Sequence, residues 1–113
     1  MTIVRDGITL AELGAMARRT FGSMVKAVVD VERGIMAVDA ELHADEEAVL
    51  LEAGSEQDNL WGINLYPGVA GEDWLEFDSM INIRPWQDNR TRAVNDPELR
   101  DRIRRVVGRL VTR

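Results

Sequence analysis

The side chains best able to do chemistry gather between Leu60 and Arg90, in LWGINLYPGVAGEDWLEFDSMINIRPWQDNR. Extended chain alternates its side chains, so Trp61, Ile63 and Leu65 fall on one side of a first strand and Gly62, Asn64 and Tyr66 on the other. WLEFDSMINIR alternates likewise, Leu75, Phe77, Ser79, Ile81 and Ile83 against Trp74, Glu76, Asp78, Met80, Asn82 and Arg84, until Pro85 stops it. Antiparallel pairing with the apolar faces matched would put Asn64, Tyr66, Glu76, Asp78, Asn82 and Arg84 together on the opposite face. Amides, carboxylates, a phenol and a guanidinium on one surface are equipped for hydrogen-bonded recognition, and no catalytic signature runs through them. The polar loop WQDNRTRAVNDP follows, able to fold Trp86, Asn89, Arg90 and Arg92 over the cluster, and loops beside rigid sheets commonly carry sites. The plainer alternative is a solvated ladder in which Arg84 pairs with Asp78 or Glu76.

A second constellation is Asp39, Glu41, His43 and Asp45 at two-residue spacing, four oxygen and nitrogen donors of the kinds that hold zinc, manganese or iron. Neighbours on one face of a strand stand roughly 6.5–7 Å apart, too far for four in a row to converge on one ion. No metal or cofactor is therefore expected, with Asp39, Glu41 and His43 the candidates should one be held. His43 is the sole histidine, so any histidine-dependent hydrolysis would have to use it with Asp39 and Glu41.

A third is basic. Residues 1–83 hold 16 acids and 5 bases, residues 84–113 hold 9 bases and 4 acids, and the whole chain carries −6. In the last segment Arg102, Arg105 and Arg109 recur at helical spacing, able to meet phosphates or a carboxylate-rich partner, or simply to form a solvated face. The acidic remainder disfavours general nucleic-acid binding.

The elements that must position these groups can be read in order. Thr2–Val4 suits a short edge strand. Thr9 and Glu12 have capping-box spacing with Ile8 and Leu13 as a staple, and Leu10, Leu13, Met16, Ala17 and Phe21 trace a buried stripe toward Gly22. VKAVVDVERGIMAVDAELHAD reads as a hairpin turning at Arg33–Gly34. Residues whose numbers sum to 67 would then face each other: Val25, Ala27, Val29 and Val31 opposite Leu42, Ala40, Val38 and Met36, with Lys26 paired to Glu41 on the other face. A short helix is expected from Glu46 to Ala53, with a strand over Ala48–Leu51 as the alternative. Asp96 caps a final helix with Pro97 at its first position, and Leu99, Ile103, Val106, Val107 and Leu110 form its apolar stripe.

At 113 residues and 45% apolar content the chain suits one domain, 1–113. It lacks cysteine, any apolar run long enough to span a bilayer, and a basic-then-apolar leader in MTIVRDG, so a cytoplasmic setting is expected. There is no Gly-rich phosphate loop and no nucleophile elbow.

LLEAGSEQDNLWGINLYP and FDSMINIRPWQDNR, with MVKAVVDVERGIMAVDAELHADEEA alongside, resemble an uncharacterised family of small bacterial and archaeal proteins classed as a domain of unknown function. The resemblance runs nearly the whole length. It implies Asp where Ala53 stands and Ser where Trp86 stands, no established activity, and a shared role centred near Gln57, Trp61, Asn64, Asn82 and Arg84. The expected fold is α+β: an antiparallel sheet of two hairpins packed on one face by the N- and C-terminal helices, with a short central helix. The expected function is non-enzymatic, a binding or regulatory module engaging a protein partner or a copy of itself through the polar sheet face. Its site would comprise Gln57, Trp61, Asn64, Tyr66, Asp78, Asn82, Arg84 and Asn89. The alternatives are an RNA-associated, toxin-like protein using the basic helix and, behind it, a metal-dependent hydrolase.

Overall fold

A computed structural model describes residues 1–113. Its fold is α+β, with seven strands and three α-helices: β1 (Thr2–Val4), β2 (Ile8–Thr9), α1 (Leu10–Arg19), β3 (Val25–Asp30), β4 (Ile35–Val38), α2 (His43–Glu52), β5 (Leu60–Leu65), β6 (Leu75–Glu76), α3 (Pro97–Leu110) and β7 (Val111–Thr112). Five strands form an antiparallel sheet in the order β1-β4-β3-β5-β6, while β2 and β7 make a small parallel pair. No helix is long and apolar enough to cross a membrane.

Helix ends follow their capping residues. The Thr9 hydroxyl accepts from the Glu12 N–H at 3.1 Å and donates to the Glu12 carboxylate at 3.0 Å, and Ile8 and Leu13 are both buried. Gly22, at φ +93°, returns its N–H to the Ala17 carbonyl at 2.7 Å and so closes α1 before Phe21 can join its stripe. Phe21 is exposed instead, beneath the Lys26 ammonium. Asp96 accepts from the Glu98 N–H at 2.9 Å to start α3, which buries Ile103, Val106, Val107 and Leu110.

The β3–β4 hairpin forms, with its register two residues from the expected one. Ala27 faces Val38 and Val29 faces Met36, pairs that sum to 65, because the Asp30 carboxylate accepts from the N–H groups of Glu32 and Arg33, each at 2.9 Å. That bonding makes a four-residue loop, Val31–Gly34, closed by Gly34 at φ +69°. A shift of two preserves parity, so Val25, Ala27, Val29, Val31, Met36 and Val38 still share one face, whereas Ala40 and Leu42 fall beyond the strand and Leu42 is exposed. β4 nevertheless ends at Val38. Asp39 turns the chain at φ +70°, Glu41 lies exposed outside any strand, and the expected Lys26–Glu41 pair gives way to Lys26 opposite Asn64.

The N- and C-terminal helices α1 and α3 pack on one face of the sheet, as expected, while α2 covers part of the other face, which the sequence reading leaves open. Val25, Ala27, Val29, Met36, Val38, Ile63 and Leu65 pack with Leu13 and Ala17 of α1 and the stripe of α3. On the reverse face Val28, Ala37, Ile35 and Leu60 pack with Leu50. This second core explains why α2 is a helix and begins three residues earlier than expected: it must lay Leu50 across that face.

The second long strand is also shorter than expected. β6 is only Leu75–Glu76, pairing with Leu65 and Asn64; the chain then enters a 3₁₀ turn at Met80–Asn82, where Ser79 accepts from the Ile81 N–H at 3.3 Å. Beyond β6 the edge of β5 is completed by a side chain. The Asn82 amide accepts from the Gly62 N–H and donates to the Gly62 carbonyl, both at 2.9 Å, doing what a neighbouring backbone would. Ser79 presses so close that a Cβ at position 62 would lie 2.5 Å from its Cβ. Gly62→Ala should therefore cost about 1–3 kcal/mol by urea denaturation. Ser79→Gly in the same chain should return most of it; no rescue would show that the close approach is not the cause.

Candidate functional site

The expected polar cluster divides into an interior part and an open part. Asn82 and Arg84 are buried. The Arg84 guanidinium lies over the Trp61 ring, 4.5 Å from its centroid. It donates to the Ile81 carbonyl at 2.9 Å, the Gln57 carbonyl at 2.9 Å, the Gln87 side chain at 3.1 Å and the Leu60 carbonyl, with Glu47 of α2 at 3.6 Å. Burial holds its pKa below the ordinary arginine value, while Glu47 and Asp58 oppose that shift. Arg84 and Asn89 also exchange backbone hydrogen bonds at 2.6 and 3.1 Å around the loop Pro85–Asp88. Buried Asn89 donates to the Asn82, Thr91 and Ala93 carbonyls and accepts from the Asn95 N–H. Gln57, Trp61, Asn82, Arg84 and Asn89 thus knit the irregular segment 79–95 to β5.

The open part is a groove of about 520 Å³ between β5–β6 and the start of α2. Asn64 forms its floor, only 5% exposed, donating to the Glu76 carboxylate at 2.9 Å and the Asp78 carbonyl at 3.2 Å. Tyr66 donates to the same Glu76 oxygen at 3.0 Å. Burial first, and that carboxylate second, raise the Tyr66 phenol above its usual pKa. Asp78 is bridged to Arg92 at 2.7 Å. The Asn64 Oδ1 atom is buried without any hydrogen-bond partner.

His43, expected at the end of the hairpin on the face of Lys26, is instead the first residue of α2 and lines this groove together with Lys26. Its Nε2 lies 2.8 Å from the Ile63 carbonyl. A carbonyl only accepts, so Nε2 carries the hydrogen. Burial lowers the ring's pKa, opposed by the Ile63 bond; Lys26 lowers it further, and Asp78 and Asn64 raise it. The neutral ring leaves Nδ1 a lone pair. Reading Leu42–Glu46 as a helix's first turn would have located His43, but Leu42 offers no side-chain cap to mark that start. Asp39 and Glu41 do not join it, and no three His, Asp or Glu side chains form a group able to hold a metal ion.

The basic face of α3 is partly engaged. Arg102 reaches Glu32 at 3.5 Å and Arg109 donates to the Gly34 carbonyl, while Arg104, beside them, bridges Asp101 at 3.0 Å. Of Arg102, Arg105 and Arg109, only Arg105 lacks such a contact.

Large apolar side chains are also exposed. Trp86 is 70% exposed, Met80 65% and Leu42 55%, with Ile83 exposed between Met80 and Trp86 in sequence. Leu42 and Met80 both line the groove.

The chain is an α+β domain whose sheet carries helices on both faces and a polar groove beside β5 and β6, and such a fold does not by itself specify a function. The chain belongs to the family described as Protein of unknown function (DUF5674), whose model matches residues 2–110. No curated protein and no solved structure matches it.

Proposed function

We propose that this protein is a non-enzymatic binding module, working in the cytoplasm, that engages a protein partner on the α2 side of its sheet. The observation that carries this reading is the exposure of Met80, Ile83 and Trp86 at three-residue intervals along one segment, a strip in sequence, with Met80 and Leu42 both lining the groove. Tryptophan and methionine are enriched where proteins meet, and large apolar side chains concentrated on one segment are unusual on a surface that stays wet. The strip borders polar groups able to fix the partner's orientation, and it is held by the buried Arg84 and Asn89 network, so little order need be gained on binding. The RNA alternative draws on arginines already committed to Glu32, Asp101 and Gly34, and the protein-partner reading is preferred for that reason.

Trp86→Ala and Met80→Glu should each weaken the contact at least about tenfold, with the unfolding midpoint unchanged because both side chains are exposed. Sedimentation of the purified chain tests self-association, and capture on immobilised chain tests a different partner. If the wild type sediments as a monomer and captures the same proteins as both variants, the reading fails.

A further inference from the structure

We infer that the polar floor of the groove is a binding site for an α-amino acid with an apolar side chain, presented as a free zwitterion. This goes beyond the protein-partner reading: the two share Leu42 and Met80, but the site rests on Asn64, His43, Glu76 and Lys26, and Ile83 and Trp86 take no part in it.

The first support is the unpartnered Asn64 Oδ1. A buried amide oxygen without a donor carries a desolvation cost of about 1–3 kcal/mol, which a ligand N–H would remove. The His43 Nδ1 lone pair is a second acceptor in the same groove, because Nε2–H is committed to Ile63. Glu76 supplies a third: one carboxylate oxygen receives both Asn64 and Tyr66, leaving the other available. Three acceptor side chains lining one groove suit the three N–H donors of a primary ammonium better than a neutral amide or a single hydroxyl.

The second support is the cation beside them. Lys26 lies directly across from Asn64 in the β3–β5 pairing and lines the same groove. It enters none of the five ion pairs and rests against the Phe21 ring, 5.2 Å from its centroid. Directly opposed residues have Cβ atoms about 4.5–5.5 Å apart. The flexible Lys26 chain can bring its ammonium to an anionic group held one carbon from an ammonium seated at Asn64, as in an α-amino acid. Arg92 is already neutralised by Asp78, so Lys26 and Glu76 set the balance and a zwitterion adds no net charge. Leu42, Met80 and Ile81 form an apolar wall for the side chain, and about 520 Å³ accommodates an amino acid with room to spare.

The test is calorimetric titration of the full chain with L-leucine, N-acetyl-L-leucine, L-leucinamide and glycine at millimolar concentrations. Leucine is expected to bind, and N-acetyl-leucine, which lacks the ammonium, at least about tenfold more weakly. Glycine, without a side chain for the apolar wall, should be weakened similarly. Leucinamide separates the sources of the ammonium: loss of binding supports the free amino acid, whereas undiminished binding would overturn the zwitterion in favour of a peptide N-terminus. Asn64→Ala and Lys26→Gln should each reduce leucine binding about tenfold, and the wild-type panel decides the matter should either variant fold poorly. No heat with leucine, or equal affinity for leucine and its N-acetyl form, would overturn the site. Trp86→Ala should bind leucine normally, so failure of the strip and failure of this site remain distinguishable.

Discussion

Arg84→Met is expected to be the most damaging single substitution in this molecule, costing about 3–5 kcal/mol of a total that is ordinarily only 5–15 kcal/mol. Methionine fills much of the volume over Trp61 but supplies no donor. The carbonyls of Gln57, Leu60 and Ile81 would each lose their guanidinium partner, and Glu47 would remain with only 14% side-chain exposure and no cation. Arg84→Lys is expected to lose at least about 2 kcal/mol, since an ammonium cannot reproduce the planar fork that meets three carbonyls while stacked on an indole. Urea denaturation of both variants is the measurement. A lysine variant within about 0.5 kcal/mol of wild type would show that the fork geometry is unimportant and that charge alone suffices. Because Arg84 also anchors the loop bearing Trp86, partner binding should weaken in both variants, but only with loss of stability, unlike Trp86→Ala.

The second large effect is a dependence on pH. Glu46 of α2 is fully buried; one oxygen accepts from the Ala40 N–H at 3.2 Å and the other has no partner. Burial pushes its pKa up to about 9 from 4.5, with the Ala40 bond and Lys26 pulling the other way by less. Below 4.5 the carboxyl is protonated in both the folded and unfolded chains and contributes nothing to the pH dependence. Between 4.5 and 9 the folded chain keeps a proton that the unfolded chain has released, so stability falls as pH rises through that window. Glu46→Gln removes this term. It is expected to leave stability nearly unchanged at pH 5 and to raise it by about 2–4 kcal/mol at pH 8. His43 acts in the opposite sense: its lowered pKa makes stability fall as the pH drops below about 6.5, and comparing variant with wild type at each pH cancels that contribution. An equal offset at pH 5 and pH 8 would sink this account of Glu46.

Both residues show where sequence reading succeeded and where it stopped. Arg84 and Asn82 stood out as polar groups on an apolar strand pattern, and that was informative. Alternation could not distinguish an outward-facing amide from one that replaces a missing strand at Gly62, because the distinction depends on β6 ending after Glu76. Glu46 read as an ordinary acid in a helix's first turn. Its burial follows only from α2 lying across the second face of the sheet.

Local signals with local causes were legible from the residues alone. The Thr9–Glu12 and Asp96–Pro97 helix starts, the parity of the β3–β4 hairpin and the stripe of α3 each depend on neighbours a few positions away, and backbone geometry supplies the rest. The tertiary structure decided what those signals could not contain. It set the register, through Asp30's hold on two loop amides, and placed His43 beside Asn64, residues twenty-one apart joined by the Ile63 carbonyl. It also separated the polar cluster into a buried clamp and an open groove. Periodicity specifies which side chains share a face of their own element; whether that face meets water, a helix or another side chain is fixed by packing among segments distant in sequence.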